Sequence, residues 1–280
     1  MGRIVAGLGL PHSPGYPSQV EREGPSSQTA QLYAAIATRL AQVRPDLLIV
    51  FDSDHLNTFS LTPLPTLCVG VTNQTRGPND GTPSVPQYMV PVGEDAATAV
   101  LQFGLDAGFD FAVTYEFTLD HSIMVPLHFL RPQMDIPIVP VFINGIVPPI
   151  PRARRCLDLG RMVGRAVQAL PNDVSVAVLA SGDFSNDVGG VLAPPDSFSG
   201  SPDLQWAEHV VKLMRSGQVD DLVRDATTAR MARAGNVAGE LLNWIALLGA
   251  IGPCTPDFLE AQVEEGHAYG FWHLDGCQPQ

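Results

Sequence analysis

A single lysine, Lys212, serves a chain of 280 residues, and that scarcity closes off chemistry before any motif is considered. Schiff-base catalysis of the pyridoxal type needs a lysine amine. Here it would rest on one residue in a helical stretch beside Trp206, Val210 and Leu213, where a solvated helix face is the simpler role. Charge is sparse altogether: 16% of residues are charged, and 16 Lys and Arg against 29 Asp and Glu leave a net −13. An acidic surface repels phosphate backbones, so nucleic acid is not expected as a partner. Cys68, Cys156, Cys254 and Cys277 contain no Cys-x-x-Cys pair and no framework spacing, and read as a reduced, cytosolic set with Cys68 in a core strand. No apolar run reaches the length of a membrane span, and the first, residues 4–10, is too short for a signal sequence. A soluble, cytoplasmic protein without a membrane partner is expected.

Two familiar loops are also missing. Gly7-Leu8-Gly9 follows an apolar run as a dinucleotide fingerprint would, but His12 stands where its third glycine belongs. No Gly-x-Ser-x-Gly elbow exists, which argues against a serine hydrolase. No self-similarity at 20–50 residues is present, so a solenoid is rejected.

What remains is an alternating pattern in a chain that is 45% hydrophobic, enough to bury a large core. Short apolar runs at Arg3–Leu10, 47–51, 66–71, 111–115, 136–142 and 174–180 read as strands. Helical spacing marks 26–44, 94–107, 152–170, 203–216, 219–230 and 236–251. Residues 73–86 and 189–202, rich in Gly and Pro, read as long loops. The expected fold is α/β: one mixed-sheet catalytic domain over residues 1–280, with flanking helices and a site at the strand ends. The tail from residue 266 is aromatic and then polar, and its packing is left open.

Three residues invite a metal. His12 lies in Leu10-Pro11-His12-Ser13-Pro14, just past the first strand, and His55 in Asp52-Ser53-Asp54-His55-Leu56-Asn57, just past the second. Strand ends are where α/β sheets bind ligands. Glu240 opens an apolar helix. Two imidazoles and a carboxylate make a facial triad that leaves three positions open on a hexacoordinate ferrous ion; the same set holds hydrolytic zinc in some peptidases. Spacing alone does not decide between them. Asp52 and Asp54 flank His55 and offer an acceptor for its second ring nitrogen. His128, His209, His267 and His273 lack surrounding motifs and read as packing residues.

The wording around these residues resembles the class III extradiol ring-cleavage dioxygenases, the family of the protocatechuate 4,5-dioxygenase catalytic subunit. It is carried, in one order from about residue 3 to residue 251, by Leu10-Pro11-His12-Ser13-Pro14, Asp54-His55-Leu56-Asn57, Asp120-His121, Pro140-Val141-Phe142-Ile143-Asn144-Gly145 and the stretch 235–244. The resemblance implies an iron(II)-dependent ring cleavage of a substituted catechol by dioxygen, with His12, His55 and Glu240 as metal ligands and His121 as a proton-shuttling histidine. It also implies a homo-oligomer, in keeping with the low charge density. Asn57, Asp183, Phe184 and Ser185, within these strings or the next, are the candidate substrate contacts. One departure stands out: where the family carries a histidine after a Ser-Gly-Gly-x-Ser string, this chain reads Ser181-Gly182-Asp183-Phe184-Ser185-Asn186. Asn186 thus replaces the second acid–base histidine. An oxygen-independent, metal-dependent hydrolase or C–C lyase on a phenolic substrate is the alternative use of the same triad.

Overall fold

Three apolar runs without alternation, β1 (Arg3–Leu10), β2 (Leu47–Asp52) and β8 (Ser175–Ser181), lie side by side and parallel at the centre of a mixed sheet. The computed structural model describes residues 1–171, 173–188 and 201–274. Among these, α1 (Tyr16–Glu23) and α2 (Gln28–Val43) follow β1; β3 (Leu67–Gly70), β4 (Gln74–Gly77), β5 (Tyr88–Pro91), α3 (Glu94–Asp106), β6 (Ala112–Thr114), α4 (His121–Leu130), β7 (Ile138–Ile143) and α5 (Ala153–Ala169) follow β2. After β8 come α6 (Leu204–Arg215), α7 (Val219–Asp225), α8 (Thr228–Ala234), a 3-10 turn at Ala238–Glu240, α9 (Leu241–Ile251), β9 (Phe258–Gln262) and β10 (His267–His273). The eight-stranded sheet has the order β6-β3-β7-β2-β8-β1-β10-β9.

Both faces of the central strands are covered, which is why their sequences are continuously apolar. Leu47, Ile49 and Phe51 of β2 and Val176, Val178 and Ala180 of β8 pack on the face that holds α3, α5, α7 and α9. Leu48 and Val50, with Ala177 and Leu179, meet α2 and α4 on the other. Ser27 caps α2 by accepting from the Ala30 N–H, as the serines before that helix predict.

The structure departs from the sequence reading in some places and completes it in others, and α1, α4 and β9 were not read from the sequence. Residues 73–86 are not wholly loop, since β4 pairs antiparallel with β5. The helix expected over 219–230 is broken at Ala226 and Thr227, and Thr227 caps α8 through its side chain. The aromatic tail is a core strand: β10 runs antiparallel to β1 with Tyr269, Phe271 and Trp272 buried. The loop expected at 189–202 falls mostly outside the described residues, as does Cys277. Cys68 is buried in β3, as expected.

Candidate functional site

The parallel strands end together, and a buried polar network fixes their ends. Asn243 of α9, fully buried, donates from Nδ2 to the Ser181 carbonyl (2.7 Å) and to Ser53 Oγ (3.1 Å), while Ser53 Oγ donates to the Ile143 carbonyl (2.9 Å). This ties β8, β2 and β7 to α9. His12 emerges from β1 through Pro11, whose carbonyl accepts from Tyr33 Oη at 2.6 Å. His55 emerges from β2, and its backbone N–H donates to Asp120 Oδ2 at 2.9 Å. Glu240 closes the 3-10 turn and reaches the same point from the far side. Gly182 permits that approach: it adopts φ +148°, and a Cβ there would lie 2.5 Å from Glu240 Cβ.

Glu240 is fully buried. Its Oε2 accepts from the Asp183 N–H at 2.8 Å. Its Oε1 lies 3.0 Å from His55 Nε2 and 3.5 Å from His12 Nε2, yet forms no hydrogen bond. The hydrogen-bond partners of His12 fix its tautomer. Ser181 Oγ spends its proton on the Ser122 carbonyl (2.5 Å), so it accepts from His12 Nδ1–H (2.8 Å) and leaves His12 Nε2 as a bare lone pair. Burial lowers the His12 pKa, against the pull of Glu240. Burial alone would raise Glu240, but the two imidazoles outweigh it and hold its pKa at about 2. His55 feels the same burial, but Asp120 and Glu240 on either side raise its pKa well above the usual range. Two imidazole nitrogens and one carboxylate oxygen therefore face one another with no proton committed between His12 and Glu240, an arrangement able to hold a divalent cation.

Ring nitrogens of His12, His55 and His121 also gather within 4.8 Å of one another. His121 is the first residue of α4, whose cap is Asp120, accepting from the Ser122 N–H at 3.0 Å. Asp80 Oδ2 accepts from His121 Nδ1 at 2.5 Å, so Nε2 is the nitrogen left for chemistry. The acceptor facing His55 Nδ1 is Asp120, at 3.5 Å, rather than Asp52 or Asp54. Asp52 is fully buried against Ser122, and Asp54 caps the turn at Thr58 and Phe59.

These groups open on a cavity of about 850 Å³. Asn57, Asp183 and Asn186 line it, and Asn186 Nδ2 donates to Asp183 Oδ2 at 2.6 Å. Burial and the nearby Glu240 push the Asp183 pKa up to about 8. Phe184 and Ser185 are corrected: both are fully buried, Phe184 edge-on to Trp244 and Ser185 bonded to the Ala234 carbonyl, and neither reaches the cavity. Past the end of β8 the chain bends at 184 and 185, so it does not alternate as a strand would, and 183 and 186 line the cavity while 184 and 185 are buried. Sequence reasoning also missed Tyr16, which lines the cavity, and Asp80, which holds His121, and it preferred packing to an opening for His267, which lines the cavity too. None sits in a telling string. His267 lies on the tail strand and needed the sheet order to place it beside β1.

Residues 6–269 match the family described as the catalytic LigB subunit of aromatic ring-opening dioxygenase. A 2,3-dihydroxyphenylpropionate/2,3-dihydroxycinnamic acid 1,2-dioxygenase of Klebsiella pneumoniae is 26% identical over 282 residues, covering 85% of this chain and 82% of the relative. An enzyme of the same name from Pseudomonas putida is 32% identical over 212 residues, covering 74% of this chain and 62% of its own length. A crystal structure of an uncharacterized Escherichia coli K12 protein shares the fold with TM-score 0.58 and 17% identity over 95% of this chain and 98% of that one. Through the match that spans nearly its whole length, the chain belongs to the LigB family of aromatic ring-opening dioxygenases.

Proposed function

We propose that residues 1–280 act as one catalytic domain, an iron(II)-dependent extradiol dioxygenase that opens the ring of a substituted catechol with dioxygen. The observation that carries this reading is Glu240 Oε1: fully buried, facing two imidazole Nε2 atoms, and without a hydrogen bond. A buried carboxylate oxygen without a hydrogen bond is costly, and a cation held jointly with the two imidazoles satisfies it. His12, His55 and Glu240 would hold the ion, which when bound supplies Lewis-acid chelation of the two ring hydroxyls and a route for electron density from the ring to dioxygen. His12 is pre-oriented by Ser181, the outer support that metal-bound histidines require.

The protein's own contribution is proton handling and exclusion of water. His121, with Nδ1–H held by Asp80, takes a catechol proton at Nε2 and returns it to an oxygen of the product as the O–O bond breaks. Asn186 orients substrate by hydrogen bonding but cannot move a proton at neutral pH. Dioxygenase relatives and the low charge density support a cytoplasmic homo-oligomer acting on a small aromatic molecule.

Anaerobic loading with ferrous iron, followed by oxygen uptake with a catechol panel, tests the reading. His12→Ala, His55→Ala and Glu240→Ala are each expected to lose bound metal, measured by elemental analysis, while keeping the wild-type circular dichroism spectrum. Full metal content and turnover in Glu240→Ala would sink the triad. Zinc retention with no oxygen uptake would favour the hydrolase or lyase instead.

A further inference from the structure

The relatives are named for substrates whose side chains end in a carboxylate. The cavity here is poorly made for one. Among the described residues no lysine or arginine lines it. The segments outside the description, residue 172, 189–200 and 275–280, contain neither residue type. Ile146, Ile150, Val188, Met231 and Val237 form an apolar wall, and the charged groups away from the triad and His121 are Asp183 and Glu265.

The polar end of the cavity has acceptors and few free donors. His267 Nε2 lies 2.8 Å from Gln262 Oε1, which fixes its proton there and leaves Nδ1 an acceptor. Burial pushes the His267 pKa down to about 3, so the ring is neutral. Its Nδ1 faces Asp183 Oδ1 at 3.5 Å, both atoms are buried, and neither has a hydrogen-bond partner. With the ring proton on Nε2, His267 presents no N–H to an anion on this side. Tyr16 offers none either, because its hydroxyl donates to Glu265 Oε2 at 3.2 Å. A carboxylate buried at this end would meet no lysine or arginine and would face the acidic side chains of Asp183 and Glu265, and burying an unpaired charge is costly.

We infer that the cavity selects a catechol whose side chain carries no negative charge, with Asp183 and His267 forming the subsite that turns a carboxylate away. The unpartnered pair receives instead an N–H or O–H donor of a neutral side chain, such as an amide or a hydroxyl. This inference rests on the ring-opening reading of the site, and its test separates the two. The probes are 2,3-dihydroxyphenylpropionate and its primary amide, matched in length and shape and differing by one charge. Turnover of the ferrous enzyme and anaerobic binding by calorimetry are measured for both. The amide is expected to exceed the acid by about tenfold or more in kcat/KM and in affinity, the scale set by one unpaired buried charge. Met231→Arg, which places a cation on the apolar wall, and Asp183→Asn, which removes the acid, should each narrow that ratio several-fold. Acid bound or opened as well as the amide by the wild type overturns the inference, as does failure to bind either compound. An unchanged ratio in both variants removes the subsite. If the protein opens no ring at all, the ring-opening reading fails, while the binding comparison still decides the charge preference.

Discussion

Position 186 shows how one residue can set the power of a site. Asn186 lines the same cavity as His12 and His55 and donates to Asp183. An amide there cannot relay a proton, so in the proposed reaction His121 would carry the acid–base work alone. Asn186→His is expected to raise cleavage of simple catechols by about 10-fold or more, within the ~10²–10⁴-fold range of a positioned acid–base group. His121→Ala should lower the native rate by about 10²–10⁴-fold while leaving metal content intact. Steady-state oxygen uptake reads both; an inert Asn186→His together with a harmless His121→Ala ends the proton-transfer argument. His12, His55, Glu240 and His121 were legible because each sits in a string with local wording. The atoms that orient them were not: Ser181 and Asp80 act on His12 and His121 from 169 and 41 residues away, and Asn243 bridges to Ser53 across 190. Separations of that kind leave no local pattern to read.

Among elements, the central strands were readable because burial on both faces demands apolar runs, while β4, β5 and β9 were not. The burial pattern of β4 is exposed, buried, exposed, buried, and its strand exists because β5 pairs with it, which a Gly- and Pro-rich sequence does not announce. The helix break at Ala226 and Thr227 was missed because apolar spacing continues across it. Helix contacts carry their own sequence trace. α5 and α9 cross on the face opposite α2, and Gly160 sits at the contact, where a Cβ would fall 1.9 Å from the Ala246 carbonyl oxygen. In an isolated helix Gly→Ala stabilises by about 0.5–1 kcal/mol. Here overpacking against backbone costs about 1–3 kcal/mol, so the clash wins and the sign reverses. Gly160→Ala should therefore lower the denaturant midpoint without changing the slope. Asn243→Leu should cost about 1–3 kcal/mol for stranding the buried Ser181 carbonyl, and it should also loosen metal binding, because Ser181, which accepts from His12, and Ser53, two residues before His55, lose their common tie.

At the scale of the whole molecule, the sheet has two edges, and they are treated differently. β9 closes one side; at the other, the edge strand β6 leaves Val113 40% exposed and neighbouring Tyr115 63% exposed. Folded proteins blunt such edges with charge, proline or a covering element, because an uncovered apolar edge recruits other chains. Neither Val113 nor Tyr115 supplies charge, and no lysine stands on the strand. Only 16% of the chain's residues are charged. A second copy of the chain laid along β6 satisfies both the open backbone groups and the apolar side chains, and a symmetric pair of this kind closes on itself. Light scattering at micromolar concentration should accordingly return a multiple of 29.9 kDa. The double variant Val113→Lys with Tyr115→Lys places a charge on the edge at both positions and should shift the mass toward one chain. Its metal content should stay unchanged, because β6 lies at the far edge of the sheet from β1, with β3, β7, β2 and β8 between them. A wild-type mass of a single chain across that concentration range would mean that the edge is tolerated in solution and that the homo-oligomer is wrong.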